Sequence, residues 1–436
     1  MVSSTVGASA EELVLHLLYQ LIAIIVMSRV VAMAARRLGQ TDVSGEILAG
    51  ILLGPSLLGA LSPGALAWLF PVTIAPIFTG LAQLGLVLLM FQIGLEFQFG
   101  EVLSTSRRTV VVISLVGIAV PFALGYGSAS FFYARLPEAV KPDPLGFTLF
   151  FAVAMSITAI PILGRIFMEL GLSHTRVAAL TISAAAVDDV CGWLLLGLIS
   201  LVVRGQFSAE WIGLRVLGLV VYLALVFLLL RPALKKIVAR QLASGRGMGP
   251  GLLTTILAVL FASAAVTSNL GIFAIIGGFV IGVALHDDRT FVEEWKRRIA
   301  PLVNTLLLPI FFAYTGLRTN VGSLGDWSEF GLFLAVMAVA FTGKLGGVYA
   351  GARLTGESRN ESITIAICMN TRALMELVAL NIGLDLGVLP PSMFTKLVLM
   401  AIASTFIATP LIRRITRGQE RPVDLSGGAA LGSGVG

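Results

Sequence analysis

Apolar residues run through this chain in long unbroken blocks, with the polar positions gathered between them. Blocks long enough to cross a bilayer recur at 12–34, 44–60, 72–95, 109–133, 146–169, 175–202, 211–231, 251–269, 271–286, 299–317, 328–352, 361–384 and 392–412. The pattern therefore predicts about thirteen transmembrane helices, the second and ninth of them short. In hydrocarbon only helices and closed barrels satisfy their own backbone groups, and these blocks are too long and continuous for barrel strands. The predicted fold class is an all-α polytopic membrane protein, with 1–11 as an N-terminal segment, 12–415 as the membrane domain and 416–436, rich in Gly, Ser and Ala, as a flexible tail.

Composition sharpens this picture. Hydrophobic residues make up 57% of the chain and charged ones only 12%, against about 25% charged in soluble domains. The formal charge of +6 calls for no nucleic-acid partner, because its distribution explains it. Arginines and lysines gather after the odd-numbered spans, in clusters such as Arg231, Lys235, Lys236 and Arg240, then Lys296, Arg297 and Arg298, then Arg413 and Arg414. By the positive-inside rule the N-terminus is expected outside and the C-terminus in the cytoplasm. The setting expected is a cell (inner) membrane. The two cysteines, Cys191 and Cys368, sit inside apolar blocks and imply no disulfide framework. The three histidines show no metal-ligand spacing, so no resident metal or cofactor is expected.

Against this apolar background a few polar residues stand out. Asp188 and Asp189 fall at the midpoint of the sixth span. Acids at that depth are costly and mark ion or proton paths. Lys344 lies inside the eleventh span, and Arg372 and Glu376 lie inside the twelfth. Buried charges must pair or neutralise, which brings spans six, eleven and twelve together. In the fifth span Pro161 crowds the carbonyl of Ile157, and Ser156 and Thr158 offer hydroxyls beside the freed carbonyls. The twelfth span has its own interruption at Asn370, Thr371 and Arg372. If spans two to six and nine to thirteen are two inverted repeats of five helices, these interruptions occupy matching fourth positions. Discontinuous helices of this kind build the substrate sites of many secondary transporters.

Several stretches, taken in order, resemble one family. Gly45 to Gly59 (GEILAGILLGPSLLG) is similar to the second-helix signature of the monovalent cation:proton antiporter-2 family, and Leu84 to Glu96 (LGLVLLMFQIGLE) resembles its third-helix motif. The Thr158 to Arg165 run, Asp188-Asp189, Gly277 to Gly282, Pro309 to Ala313, Gly343-Lys344 and Asn370-Thr371-Arg372 follow in family order, so the resemblance covers about residues 12 to 415. The resemblance implies a sodium/proton antiporter fold with two crossed, broken helices, a homodimer, and elevator-like movement of a six-helix core. It implies Asp189 as the main ion and proton carrier and Asp188 as the partner of Lys344. It also implies electrogenic exchange of Na⁺ or K⁺ for protons, a contribution to pH homeostasis.

The residues support that chemistry on their own terms. Neighbours on a helix point about 100° apart, so one acid can face a cavity while the other faces a neighbouring helix. A dehydrated monovalent cation wants hard oxygen ligands. Asp189, Ser156, Thr158 and the carbonyls of Ile157 or Thr158 supply such a set if span five is broken. A cation and protons then compete for one cluster, which titrates as a group. For Arg372 and Glu376, four apart on one face, a structural pair is the plainer reading. No nucleophile–base set or nucleotide loop is present, so no enzymatic activity is expected. A potassium-efflux channel-like path and a carrier of organic anions on a related fold remain as alternatives.

Overall fold

The structure is a computed structural model that describes residues 10–38, 40, 42–96, 107–158, 163, 167, 175–204, 209–242, 247–270, 273–372 and 374–416. All regular structure among these residues is helical. In chain order the helices are α1 (Ala10–Arg37), α2 (Asp42–Leu53), α3 (Ala75–Glu96), α4 (Arg107–Tyr133), α5 (Pro144–Ser156) and α6 (Arg176–Arg204). Next comes α7 (Ala209–Leu225), which passes through a π turn (Val226–Leu230) into Arg231–Leu242. Then follow α8 (Pro250–Asn269), α9 (Ala274–Leu285), the polar α10 (Arg289–Arg298), α11 (Leu308–Leu317, entered through a π turn at Val303–Leu307) and α12 (Trp327–Leu354). The chain ends in α13 (Arg359–Met369), α14 (Leu374–Asp385) and α15 (Pro391–Thr416).

Ten helices among the described residues are long and apolar enough to cross a membrane. The expected thirteen differ from this because three spans are short or broken. The ninth is the short α9, the fifth is interrupted after Ser156, and the twelfth is split into α13 and α14. The end of α5 also departs from the proline-centred expectation. Its last helical residue is Ser156, and Ile157 is already extended at φ −71°, ψ 143°. Pro161 lies outside the described residues, as do the first nine and last twenty residues of the expected terminal segments.

The helices pack in two sets. In one, α3 lies along α9, α2 packs on α1 and α11, and α8 covers α9. In the other, α4 lies along α12 and both surround α5, α6, α13 and α15. Small residues decide the closeness of the first set. A Cβ on Gly278 would stand 2.5 Å from the Val87 carbonyl oxygen, and one on Gly282 would overlap the Phe91 carbonyl. With no hydrophobic drive between helices in lipid, such backbone approach supplies the packing. Contact between the two sets is sparse and includes α2 against α15.

Candidate ion-binding site

The two broken spans meet at their interruptions. Helix α13 ends at Met369, Asn370 caps it, and the chain resumes as α14 at Leu374. The hydroxyl of Thr371 donates to the carbonyl of Cys368 at 2.8 Å, which closes the helix end. Arg372 then reaches across to the other break. Its guanidinium donates to the carbonyls of Ala154 and Met155, each at 2.5 Å. These are among the last carbonyls of α5, which have no partner within the helix. A cation at that end also opposes the helix dipole. Thr405 of α15 grips the Arg372 backbone, accepting from its N–H at 3.3 Å and donating to its carbonyl. Glu376 sits 3.4 Å from the guanidinium, at the edge of hydrogen bonding. Arg372 therefore serves chiefly as a bridge between breaks, with Glu376 balancing its charge.

Lys344 comes to the same place from α12 and is wholly buried. Its ammonium donates to Ser156 O at 2.6 Å, Asp188 Oδ2 at 2.7 Å and Gly117 O at 3.0 Å. Three acceptors match the three protons of an ammonium group. Thr158 Oγ1 lies 2.9 Å from the same Asp188 oxygen and 3.1 Å from the Met369 carbonyl, within donating reach of either. Asp188 is thus held from two sides through one oxygen.

Asp189 differs. It is only 2% exposed, yet neither carboxylate oxygen has a hydrogen-bond partner among the described residues. Asp188 Oδ1 and Asn370 Oδ1 are buried and likewise without a partner among the described residues. Among the described residues, four hard oxygens thus remain unsatisfied where α6 packs against the α13–α14 break. Burial of such groups is expensive without a proton or a cation to satisfy them.

The structure brings together Asp188, Thr158, Ser156, Ile157, Lys344, Arg372, Glu376, Asn370 and Thr371 much as the charge pattern requires. It distributes the hydroxyls differently. Thr158 bonds to Asp188, and Ser156 Oγ donates to Ala152 O at 2.9 Å in its own helix, so neither hydroxyl is on Asp189. Sequence reasoning treats Asn370 only as a helix break. Its amide oxygen is a further candidate ligand, visible only once its burial is known. The Gly117 carbonyl and Thr405 carry no sequence signal of this kind.

Two helices broken at a shared point around buried acids define an integral, multi-pass membrane protein built as a secondary transporter. A family model described as "Sodium/hydrogen exchanger, transmembrane" matches residues 22–418. The chain belongs to that family. It is 38% identical over 406 residues to the Na(+)/H(+) antiporter NhaS4 of Synechocystis sp., covering 92% of this chain and 97% of that one. It is 34% identical over 403 residues to Cation/H(+) antiporter 19 of Arabidopsis thaliana, covering 92% of this chain but only 49% of the plant protein. The solved sodium proton antiporter MjNhaP1 of Methanocaldococcus jannaschii shares the fold, with a TM-score of 0.66 over 94% of this chain and 98% of that one at 19% identity.

Proposed function

We propose that this protein is a secondary active antiporter exchanging Na⁺ or K⁺ for protons, with Asp189 as the group at which they compete. The observation that carries the reading is the contrast between neighbours. Asp188 is held by Lys344 and Thr158, whereas the buried Asp189 carboxylate has no hydrogen-bond partner among the described residues. A single site that must hold either a cation or a proton needs such a group. Asp188 Oδ1, Asn370 Oδ1 and the Ile157 and Thr158 carbonyls complete the proposed ligand set. Burial favours the protonated acid and an adjacent cation the ionised one, so one species displaces the other.

Lys344 gives the reading its electrogenic form. Cation arrival at Asp189 loosens Asp188 from Lys344, which then releases a proton in addition to the one lost by Asp189. Lys344→Gln is expected to reduce the proton stoichiometry, and a variant that still moves two protons per cation would exclude the role. The assembly proposed is a homodimer in the cell membrane, N-terminus outside and C-terminus cytoplasmic, with bilayer lipid around it. Elevator-like movement of the set containing α4, α5, α6, α12, α13, α14 and α15 fits its sparse packing against the other set.

Proton movement in proteoliposomes on addition of Na⁺, K⁺ or Li⁺ tests the reading. A cation-evoked pH change in the parent protein, abolished in Asp189→Asn, supports it and names the ion. No response to any cation, in vesicles shown to hold a proton gradient, would sink it.

A further inference from the structure

A second charged cluster lies at the end of the bundle away from the arginine-rich loops. There a cavity of about 210 Å³ opens between the two helix sets, lined by Gln83 of α3, Phe311 and Tyr314 of α11, and Val378, Asn381 and Asp385 of α14. Positions 378, 381 and 385 follow helical spacing and share one face of α14. Val378 is one turn from Leu374, where α14 begins at the break. The cavity therefore reaches to within about 6 Å, along the helix, of the crossing.

Arg318, just past the end of α11 in the opposite set, does not line the cavity itself but engages two residues that do. Its guanidinium lies 2.5 Å from Asp385 Oδ1 and donates to Asn381 Oδ1 at 3.3 Å, while its carbon sits 4.3 Å from the Tyr314 ring centre. Asn381 in turn donates to Thr315 Oγ1 at 2.8 Å. The charges on both sides are part-exposed, 28% for Arg318 and 36% for Asp385. Water-exposed pairs of this kind are weak and are screened by salt. The buried Lys344–Asp188 pair has neither property. The exposed pair can thus open on its own, whereas the buried pair stays closed until a cation arrives beside it.

We propose that this cavity is the antechamber through which cations approach the crossing, and that Arg318 gates it by occupying Asp385 and Asn381. The inference rests on the antiport reading. When Arg318 swings away it exposes a carboxylate and an amide oxygen, one helical turn apart, that lead inward along α14. Asp385 draws a cation in and Arg318 competes with it, so the pair sets apparent affinity at this face alone.

Two measurements decide it. The first needs no transport. Ile382, also on the cavity wall, is replaced by cysteine, and labelling by membrane-impermeant cationic and anionic methanethiosulfonates is counted as the excess over the parent, which keeps Cys191 and Cys368. Arg318→Gln is expected to raise the cationic-to-anionic rate ratio about tenfold, and Asp385→Asn to lower it below that of the paired protein, as focused fields in clefts do. No excess labelling, or a ratio that neither change moves, overturns the proposal. The second is sided exchange in oriented vesicles. Arg318→Gln is expected to lower the KM for cation offered at this face about threefold or more, with the KM at the opposite face unchanged and Arg318→Lys close to the parent. A bracing role would shift both faces together or lower kcat alone, and either result overturns the gate. If the parent itself exchanges no cation for protons, the antiport reading fails, and the labelling ratios alone decide whether Arg318 and Asp385 control charge in the cavity.

Discussion

At the scale of single residues, the buried Lys344–Asp188 pair sets the strongest constraint. Both side chains are fully buried, and removing one partner leaves the other charge unmatched, at a cost of about 3–5 kcal/mol. Lys344→Met is therefore expected to lower the melting temperature in detergent sharply. Lys344→Met with Asp188→Asn should recover much of the loss, since no isolated charge then remains. Equal melting of the single and double variants would show that the pair is not the source. The asymmetry between the two acids was legible in advance, because neighbours on a helix cannot point the same way. The allocation of hydroxyls was not. Thr158 sits thirty residues from Asp188 in sequence, and which acid it meets depends on how α5 and α6 are rotated about their axes. Asn370 was undervalued for the same reason, since an amide in a helix break announces the break but not where its oxygen points.

Among the elements, the interruptions and the glycine seams carry most of the information. The split of the twelfth span falls where Asn370 and Thr371 place it. The end of the fifth span does not await the proline, because Arg372 and the Lys344 ammonium engage this stretch from other helices and its own Thr158 hydroxyl reaches out to Asp188. Tertiary partners of that kind leave no local trace in a sequence. The seam between α3 and α9 rests on Gly278 and Gly282, which in the sequence stood only as part of the family's motif order. Gly282→Ala must push the two backbones apart, since its Cβ has no room beside the Phe91 carbonyl. A fall in thermal stability is expected, with Gly346→Ala, which meets nothing within 4 Å, as the silent control. Equal melting of the two would refute the seam.

The short α10 escaped the hydropathy pattern because charges surround its two buried residues, Phe291 and Trp295. It holds the loop before α8 in place. Glu294 accepts from the Met248 N–H at 3.0 Å, and Arg298 donates to the Met248 carbonyl at 2.8 Å. Gly247 just before has φ +65°, and a Cβ there would stand 2.6 Å from the Arg298 guanidinium. The Met248 N–H holds the Glu294 carboxyl below its ordinary value, helped by Arg297 and Arg298 and opposed by partial burial. A carboxyl lowered in the folded state stabilises above its unfolded pKa, and the effect is lost as pH falls through the lowered value. Protection of the Met248 amide, taken relative to its intrinsic exchange rate at each pH, should hold at neutral pH and weaken as pH falls below the ordinary glutamate range. In Glu294→Gln it should show little of that dependence, and an unchanged pH profile in the variant would discount the contact.

For the molecule as a whole, class and span order were readable from block length and charge placement, whereas the division into two helix sets was not. It depends on which apolar faces meet, and apolar blocks in lipid are uniform on all sides. The bond from Arg372 to Ala154 joins residues 218 positions apart. That separation has a consequence for synthesis. Chains are made at about 5–20 residues per second, so the carbonyls ending α5 emerge roughly ten to forty seconds before the side chain that completes them. During that interval the fifth span stands in the membrane with its end unfinished. Nascent chains released before residue 372 are therefore expected to expose this end to quality-control proteases, and maturation should begin only when the twelfth span arrives.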